Sequence, residues 1–200
     1  MIMKIIPIAY FLKRKLYSER EKFQISLSDL LSKIKKDSDI YIYDFDGINR
    51  NKPNLCSYPK ISVQNILWVD NSPRNLGDVV DAVLAGAANI TIRRDLWPKV
   101  NISNIREISE GAIYEFVDLE KINRQKDVFY SDADGIIISS QKNNVGNGFI
   151  VDDLIKNICR KFKVYVIESD ISFFSYWKKI GVKGILIDFN KYLKVGEDEL

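Results

Sequence analysis

Eight short runs of β-branched and other apolar residues are spaced along the whole chain, and amphipathic segments lie between most of them. Strands that alternate with crossover helices pair in parallel, because a short turn cannot connect two parallel strands. The order of elements therefore predicts a parallel sheet. The runs are KIIPIAY (4–10), IYIYDF (40–45), NILWVD (65–70), NITIRR (89–94), AIYEFVD (112–118), DGIIISS (134–140), KVYVIES (163–169) and KGILID (183–188).

Eight strands with crossovers in 200 residues predict a small single-domain (β/α)₈ barrel that spans residues 1–200. An open doubly wound sheet is the alternative architecture. The length is at the lower limit for a barrel, and two connections, 51–64 and 119–133, contain too little helical pattern for full helices. In a barrel the eight strand ends meet at one face, the mouth. We expect residues 10, 44, 70, 94, 118, 140, 168 and 188 there.

Composition excludes several classes of function. The formal net charge is +3, and no run of Lys or Arg dominates, which argues against a nucleic-acid-binding protein. The apolar run at the N-terminus, about seven residues long, is too short for a signal peptide or a membrane span. Cys56 and Cys159 lie far apart and fit a reducing compartment. We expect a cytoplasmic protein with a small-molecule ligand; the oligomeric state is not predicted.

The chain contains no histidine. This excludes Ser-His-Asp and Cys-His catalytic arrangements and removes the usual general base near neutral pH. Histidine metal ligands are excluded as well. Proton transfer would depend on Asp, Glu, Lys, Tyr or Cys.

Acidic residues end five of the predicted strands. Neighbouring strands lie roughly 4.8 Å apart, so only acids on adjacent strands can share an ion. This leaves Asp44 with Asp70, and Glu168 with Asp188, as candidate sites for a divalent cation such as magnesium, calcium or manganese, or for a substrate ammonium group. The alternative is a rim of acids neutralised by arginine. The five acids are Asp44, Asp70, Asp118, Glu168 and Asp188.

The segment DFDG at 44–47 has two further interpretations. It resembles the nucleophile loop of haloacid-dehalogenase-type phosphatases, in which two aspartates and magnesium act on phosphorus. However, Ile48 stands where those enzymes have Thr or Val. The structural interpretation is that Asp46 caps the tight turn at Gly47. We favour that interpretation for Asp46 and a functional role for Asp44.

Several segments, in chain order, resemble the ProFAR isomerase family of histidine biosynthesis, together with its cyclase relative and an uncharacterised archaeal branch. Residues 4–10 resemble its first strand, 43–54 its second strand end, and 69–92 its third strand, helix and fourth strand, with Arg74 in a matching position. EFVDLE (115–120) and GVKGILID (181–188) resemble its fifth and eighth strand ends. The resemblance implies a barrel with substrate bound at the mouth.

The departures from that family argue against its reaction. The resemblance implies catalytic aspartates at the ends of strands one and five; this chain has Tyr10 and Asp118 there. It also implies glycine-rich phosphate-binding turns after strands three, four, seven and eight. At those places this chain has Asp70-Asn71-Ser72, Arg93-Arg94, Ser169-Asp170 and Asp188.

Two classes of function remain. The first is a diverged enzyme that uses Asp44 and Asp118 for catalysis on a small polar metabolite. We expect Tyr10, Asp70, Arg74, Arg94, Glu168 and Asp188 to contact that ligand. The archaeal branch occurs mainly in methanogens and in microbes that share their one-carbon coenzymes, which implies coenzyme biosynthesis. The second class is a non-catalytic paralogue used for binding or assembly.

Overall fold

The computed structural model describes residues 3–20, 22–118, 132–139 and 149–195, and within them eight parallel strands form a closed barrel. Closure is direct, because the first strand pairs with both the second and the last barrel strand. All eight predicted strands are confirmed. In order around the barrel they are β1 (Lys4–Leu12), β4 (Asp39–Asp44), β5 (Ile66–Asp70), β6 (Asn89–Ile92), β7 (Ile113–Asp118), β8 (Gly135–Ser139), β9 (Lys163–Glu168) and β10 (Gly184–Asp188).

A short antiparallel extension of β1 was not predicted. β1 continues through a tight turn into β2 (Lys15–Tyr17), which pairs with β3 (Gln24–Ile25). The two turn residues, Lys13 and Arg14, have φ angles of 51° and 64°. Positive φ at both central residues is the geometry of a type I′ hairpin, which Asn-Gly usually forms. Neither residue carries that signal, so the sequence pattern did not reveal the hairpin.

Helices cover the outside of the barrel, and several are short. Ser26 and Asn75 each accept a hydrogen bond from a backbone N–H in the first turn of the helix that follows, as their residue types predict. No described helix is both long and apolar enough to cross a membrane. The helices are α1 (Leu27–Lys33), α2 (Phe45–Arg50), α3 (Tyr58–Ser62), α4 (Leu76–Leu84), α5 (Ile102–Arg106), α6 (Phe149–Lys161), α7 (Phe174–Ile180) and α8 (Phe189–Tyr192), with 3₁₀ turns at Leu55–Ser57 and Ile171–Phe173.

The interior of the barrel is filled by aromatic rings around Trp68. This side chain is 1% exposed, and its ring centroid lies 3.9 Å from that of Tyr114 and 5.0 Å from that of Tyr165. The indole N–H donates to Thr91 Oγ1 at 2.9 Å, so its polar group is satisfied in the core. These packed rings occupy the barrel interior below the strand ends.

Two glycines make room for these rings. A Cβ atom at Gly135 would lie 2.4 Å from the carbonyl oxygen of Lys163 and 2.9 Å from the Tyr114 ring. A Cβ atom at Gly184 would lie 2.8 Å from the carbonyl oxygen of Lys4 and 3.1 Å from the Tyr165 ring. Small residues on β8 and β10 thus alternate with large ones on β7 and β9, which lets an eight-stranded barrel be filled without voids.

The Gly135→Ala substitution should therefore destabilise the protein by about 2–3 kcal/mol, because the backbone of β9 cannot easily move away. The matched control is Gly77→Ala on the exposed side of α4, where only the Asn75 side chain is near, at 3.0 Å. We expect its effect to be within about 1 kcal/mol. Urea unfolding of both variants measures the difference, and equal stabilities would contradict this account of the packing.

Candidate functional site

The inner side of the mouth is formed by every second residue at the strand ends. Tyr10 is paired in register with Tyr43, and Tyr43 with Asp70, so these three side chains point to the same side of the sheet. Tyr10 and Tyr43 belong to the same interior cluster as Trp68. Residues one position away along each strand point instead towards the outer helices. This alternation decides which predicted site residues come together.

The inner side of the mouth contains a buried ion pair. Arg93 donates to both carboxylate oxygens of Asp70, at 2.6 and 3.1 Å, and Tyr41 Oη donates to Asp70 at 3.0 Å. The guanidinium also lies 3.6 Å from the centroid of the Phe116 ring. Burial would lower the pKa of Arg93, but the charge of Asp70 raises it above its usual value. The pair is therefore fixed and carries no net charge.

A second polar pair joins β1 to the end of β10. Tyr10 Oη donates a hydrogen bond to Asp188 Oδ1, and Lys191 Nζ lies 3.8 Å from the other carboxylate oxygen. Burial, reinforced by the charge of Asp188, raises the pKa of Tyr10, so its hydroxyl remains protonated and acts as a donor. Burial also raises the pKa of Asp188, against the opposing effects of Tyr10 and Lys191.

Aromatic and cationic side chains border the Tyr10–Asp188 pair. The rings of Tyr43 and Phe45 have their centroids 5.9 and 6.0 Å from that of Tyr10. Arg20, from the loop between β2 and β3, lies 5.3 Å from the centroid of the Phe45 ring and is itself exposed. Arg20 is therefore placed beside the aromatic border of the pair. The importance of Tyr43, Phe45 and Phe116 was not predicted, although the two-residue alternation from Tyr41 would have indicated Tyr43.

Asp44 points away from the mouth. It is fully buried, and its carboxylate accepts five hydrogen bonds: from the backbone N–H groups of Asp46, Gly47 and Asn54, from the Asn54 amide, and from Tyr58 Oη at 2.6 Å. Tyr58 belongs to the outer hydrophobic cluster between sheet and helices. Burial raises the pKa of Asp44, and these donors oppose the rise. This carboxylate therefore joins the end of β4 to α2 and α3.

Glu168 is arranged in the same way at the end of β9. It accepts hydrogen bonds from the backbone N–H groups of Ser169 and Asp170, at 2.6 and 3.1 Å, and from the indole N–H of Trp177 at 2.9 Å. Trp177, on α7, is 1% exposed and lies in the second outer cluster. Glu168 thus connects its strand to the following helix, as Asp44 does on the other side of the barrel.

The two acid pairs predicted to share a cation are therefore not brought together. Asp70 and Asp188 face the interior, whereas Asp44 and Glu168 face the helices, because each predicted pair combined positions of opposite side-chain direction. Within the described ranges there is also no group of three or more residues with metal-ligand side chains. The neutralisation of Asp70 by arginine, which was the alternative, is what the structure shows.

The predicted role of Asp46 is corrected. The cap of the turn at Gly47 is Asp44, while Asp46 accepts hydrogen bonds from the backbone N–H groups of Lys13 and Arg14, at 2.9 and 2.8 Å. It also pairs with Arg50 and accepts from the Asn54 amide at 3.1 Å. Asp46 therefore fixes the β1–β2 turn. With both aspartates bound in this way, the structure does not support the phosphatase interpretation.

Four further predicted positions have different surroundings. Arg94 forms a 2.8 Å ion pair with Glu115, and Arg74 donates to the carbonyl oxygen of Ile48 at 2.9 Å. Asp118 ends β7 and is half-buried. Ser140 lies outside the described residues.

The segment directly after Asp70 contains buried polar groups without partners. The Asn71 amide and the Ser72 hydroxyl, on residues 2% and 0% exposed, make no hydrogen bond within the described chain. Buried polar groups are rarely left unsatisfied in folded proteins. Both residues directly follow the end of β5, where Asn71 lies against Gly47 of α2.

The Asp46→Asn variant tests the anchoring of the β1–β2 turn. Burial by itself would raise the pKa of Asp46, but the backbone donors, Asn54 and Arg50 lower it to about 2. A carboxyl group whose pKa is lower in the folded state than in the unfolded chain stabilises the fold at pH values above its unfolded pKa. This stabilisation is lost as the pH falls towards its folded pKa. We expect the variant to lose about 2 kcal/mol at pH 7.

Chemical unfolding measured from pH 7 down to pH 2 checks this. The unmodified protein should lose the stabilisation by the Asp46 carboxylate between about pH 4 and pH 2. In that range its free energy of unfolding should become equal to that of the variant. Asp153→Asn, at an exposed site on α6, is the control and should change stability by less than about 0.5 kcal/mol. A constant difference at all pH values would contradict the role of the Asp46 charge.

Comparison with known proteins identifies the fold. No protein-family model matches the chain, and no curated protein matches it. Among solved structures, 3-hexulose-6-phosphate synthase from Salmonella typhimurium matches with a TM-score of 0.59 and 10% identity, over 96% of this chain and 95% of that one. A mutant tryptophan synthase alpha-subunit from the hyperthermophile Pyrococcus furiosus matches with a TM-score of 0.49 and 13% identity, over 74% and 75%. The first likeness supports the barrel fold and not the ProFAR isomerase family in particular.

Proposed function

We propose that the protein binds a small polar metabolite at the mouth of the barrel, in contact with Tyr10 and Asp188. The observation that carries this proposal is the position of the Tyr10–Asp188 pair. It lies on the inner side, next to aromatic rings and the exposed cation of Arg20. Mouths of this kind are where (β/α)₈ barrels bind their ligands.

The neighbouring groups support a ligand with hydrogen-bonding groups and an apolar part. Phe45, Tyr43 and Phe116 provide aromatic surface, and Tyr10 and Asp188 provide the hydrogen-bonding groups. The Asp70–Arg93 pair is neutral overall, so it supports binding of a polar molecule better than binding of a bare divalent cation.

Loss of the ProFAR isomerase reaction is part of the proposal. A proton shuttle between an acid and a base requires a group that can release its proton near neutral pH. Tyr10 occupies the position of one catalytic acid in the resembled family, and its pKa is raised by burial and by Asp188. Asp44, our predicted catalytic residue, is occupied by five donors on the outer side. Binding is therefore better supported than the inherited chemistry.

A second candidate function is proton transfer by Asp188. Its pKa is raised by burial, and a carboxyl group with a raised pKa beside a bound ligand is suited to general acid or base catalysis. In that case the metabolite would be a substrate of a diverged enzyme, with Asp118 as the other acid of the mouth. The resemblance to the archaeal branch supports a cytoplasmic role in one-carbon coenzyme biosynthesis for either function.

The binding proposal predicts different behaviour for two tyrosine variants. Tyr10→Phe and Tyr58→Phe each remove a hydroxyl that donates to a strand-end aspartate, but only Tyr10 lies at the mouth. In a thermal-shift screen against a pool of cellular metabolites, we expect a ligand that stabilises the unmodified protein. This ligand should still stabilise Tyr58→Phe, whereas its apparent affinity for Tyr10→Phe should be at least about tenfold lower.

Titration calorimetry with the ligand identified in the screen measures the two affinities directly. The unliganded midpoint of each variant corrects for any loss of stability. If both variants bind equally well, or if Tyr58→Phe alone is impaired, the mouth as defined by Tyr10 and Asp188 is not the binding site.

The second prediction is that the purified protein has no ProFAR isomerase activity. It should also fail to restore growth of a strain that lacks that enzyme. Replacing Tyr10 by Asp would restore a carboxylate at this position, but we expect no turnover from it alone, because the glycine-rich phosphate turns are also absent from the sequence. Rescue by the unmodified protein would refute the proposed loss of the reaction.

A further inference from the structure

A cleft of about 930 Å³ lies outside the mouth, between the β1–β2 turn and the segment that follows α2. Four basic side chains line it, together with the carboxylate of Asp46; the basic residues are Lys13, Arg14, Arg50 and Lys52. Pro53 and Leu55 add apolar surface. The cleft is therefore large enough for a small molecule and has an excess of three positive charges.

Three of these cations are available to a ligand. The single carboxylate, Asp46, is already occupied by backbone donors of the turn and by Arg50. Lys13, Arg14 and Lys52 form no ion pair with any other residue in the described ranges. All three are exposed. Like charges held together without a counter-ion repel one another, and an anion bound between them removes that repulsion.

The backbone of the turn is a separate observation. Lys13 and Arg14 both have positive φ, a conformation that costs energy for residues with a Cβ and that Asn-Gly adopts easily. The turn therefore carries two long basic side chains at positions where Asn and Gly would make the folded protein more stable. The hydrogen bonds from the backbone N–H groups of Lys13 and Arg14 to Asp46 fix the backbone of these two residues at the edge of the cleft.

We propose that this cleft binds a phosphorylated small molecule, with a diphosphate group held by Lys13, Arg14 and Lys52. The guanidinium of Arg14 can form two parallel hydrogen bonds to phosphate oxygens, and the ammonium groups add charge from either side. The charge excess of the cleft matches a diphosphate, and Pro53 and Leu55 face the remainder of the ligand. This site is distinct from the mouth and goes beyond the function proposed for it.

Inorganic pyrophosphate is the probe for calorimetry at low ionic strength. The Lys13→Asn/Arg14→Gly variant replaces the turn by the residues that favour its geometry. We expect it to lower the affinity for pyrophosphate at least about tenfold, and to raise the thermal midpoint by about 2 °C. The control, Lys35→Gln/Lys36→Gln, makes the same change in charge at exposed positions before β4, at the opposite end of the barrel. It should bind as the unmodified protein does.

Alkylation of cysteine gives an independent measurement. Cys56 is exposed and lines the cleft, whereas burial raises the pKa of Cys159 to about 11, so that its thiol reacts slowly. Pyrophosphate should slow the alkylation of Cys56 in the unmodified protein and not in the Asn-Gly variant. Absence of pyrophosphate binding, or equal weakening in both double variants, would overturn the proposal. Binding of a single-stranded oligonucleotide without binding of pyrophosphate would overturn it too.

Discussion

The packing of Trp68 inside the barrel is the interaction on which the arrangement of the mouth depends. Its ring lies against Tyr114 and Tyr165, and its indole N–H is satisfied by Thr91. Tyr41 contacts the same indole edge to face and donates its hydroxyl to Asp70. The interior packing is thereby connected to the buried ion pair above it. A rigid floor of this kind holds polar groups of the mouth in fixed positions, as a binding site requires.

The direction of each strand-end side chain separates two roles that look identical in the sequence. An acid that points outwards accepts from backbone N–H groups one to three residues further along the chain and from an aromatic donor, as with Asp44 and Tyr58 or Glu168 and Trp177. An acid that points inwards meets the mouth, as Asp188 does. The outward acids stabilise the connections between layers. Of the inward acids, Asp70 is held by Arg93, whereas Asp188 lies beside Tyr10 at the mouth. Burial raises the pKa of Asp44 and that of Asp188 alike, so a raised pKa alone does not distinguish the roles.

The segment DFDG joins the mouth to the basic cleft. The Asn54 amide donates to Asp44 at 2.9 Å and to Asp46 at 3.1 Å, so one side chain links the two carboxylates. Gly47 lets α2 approach the β5 loop, since a Cβ there would lie 2.6 Å from the carbonyl oxygen of Asn71. Phe45, between the two aspartates, contributes its ring to the mouth. Four consecutive residues therefore connect the outer layer, the hairpin turn and the inner site.

The order of the eight barrel strands was determined by the sequence alone, because hydrophobic periodicity reports which residues can be buried in each element. Helix caps depend on neighbouring residues only, so Asn75 was predictable as a cap, and Ser26 was one of two candidates with Ser28. The separation of Asp44 from Asp70 was decided by the tertiary structure. It depends on which face of β4 and β5 turns towards the barrel interior, and strands with buried apolar residues on both faces leave that open in the sequence. The contact between Asp46 and the β1–β2 turn was likewise beyond the sequence. It joins residues more than thirty positions apart, and the pairing of β1 with β4 brings them together.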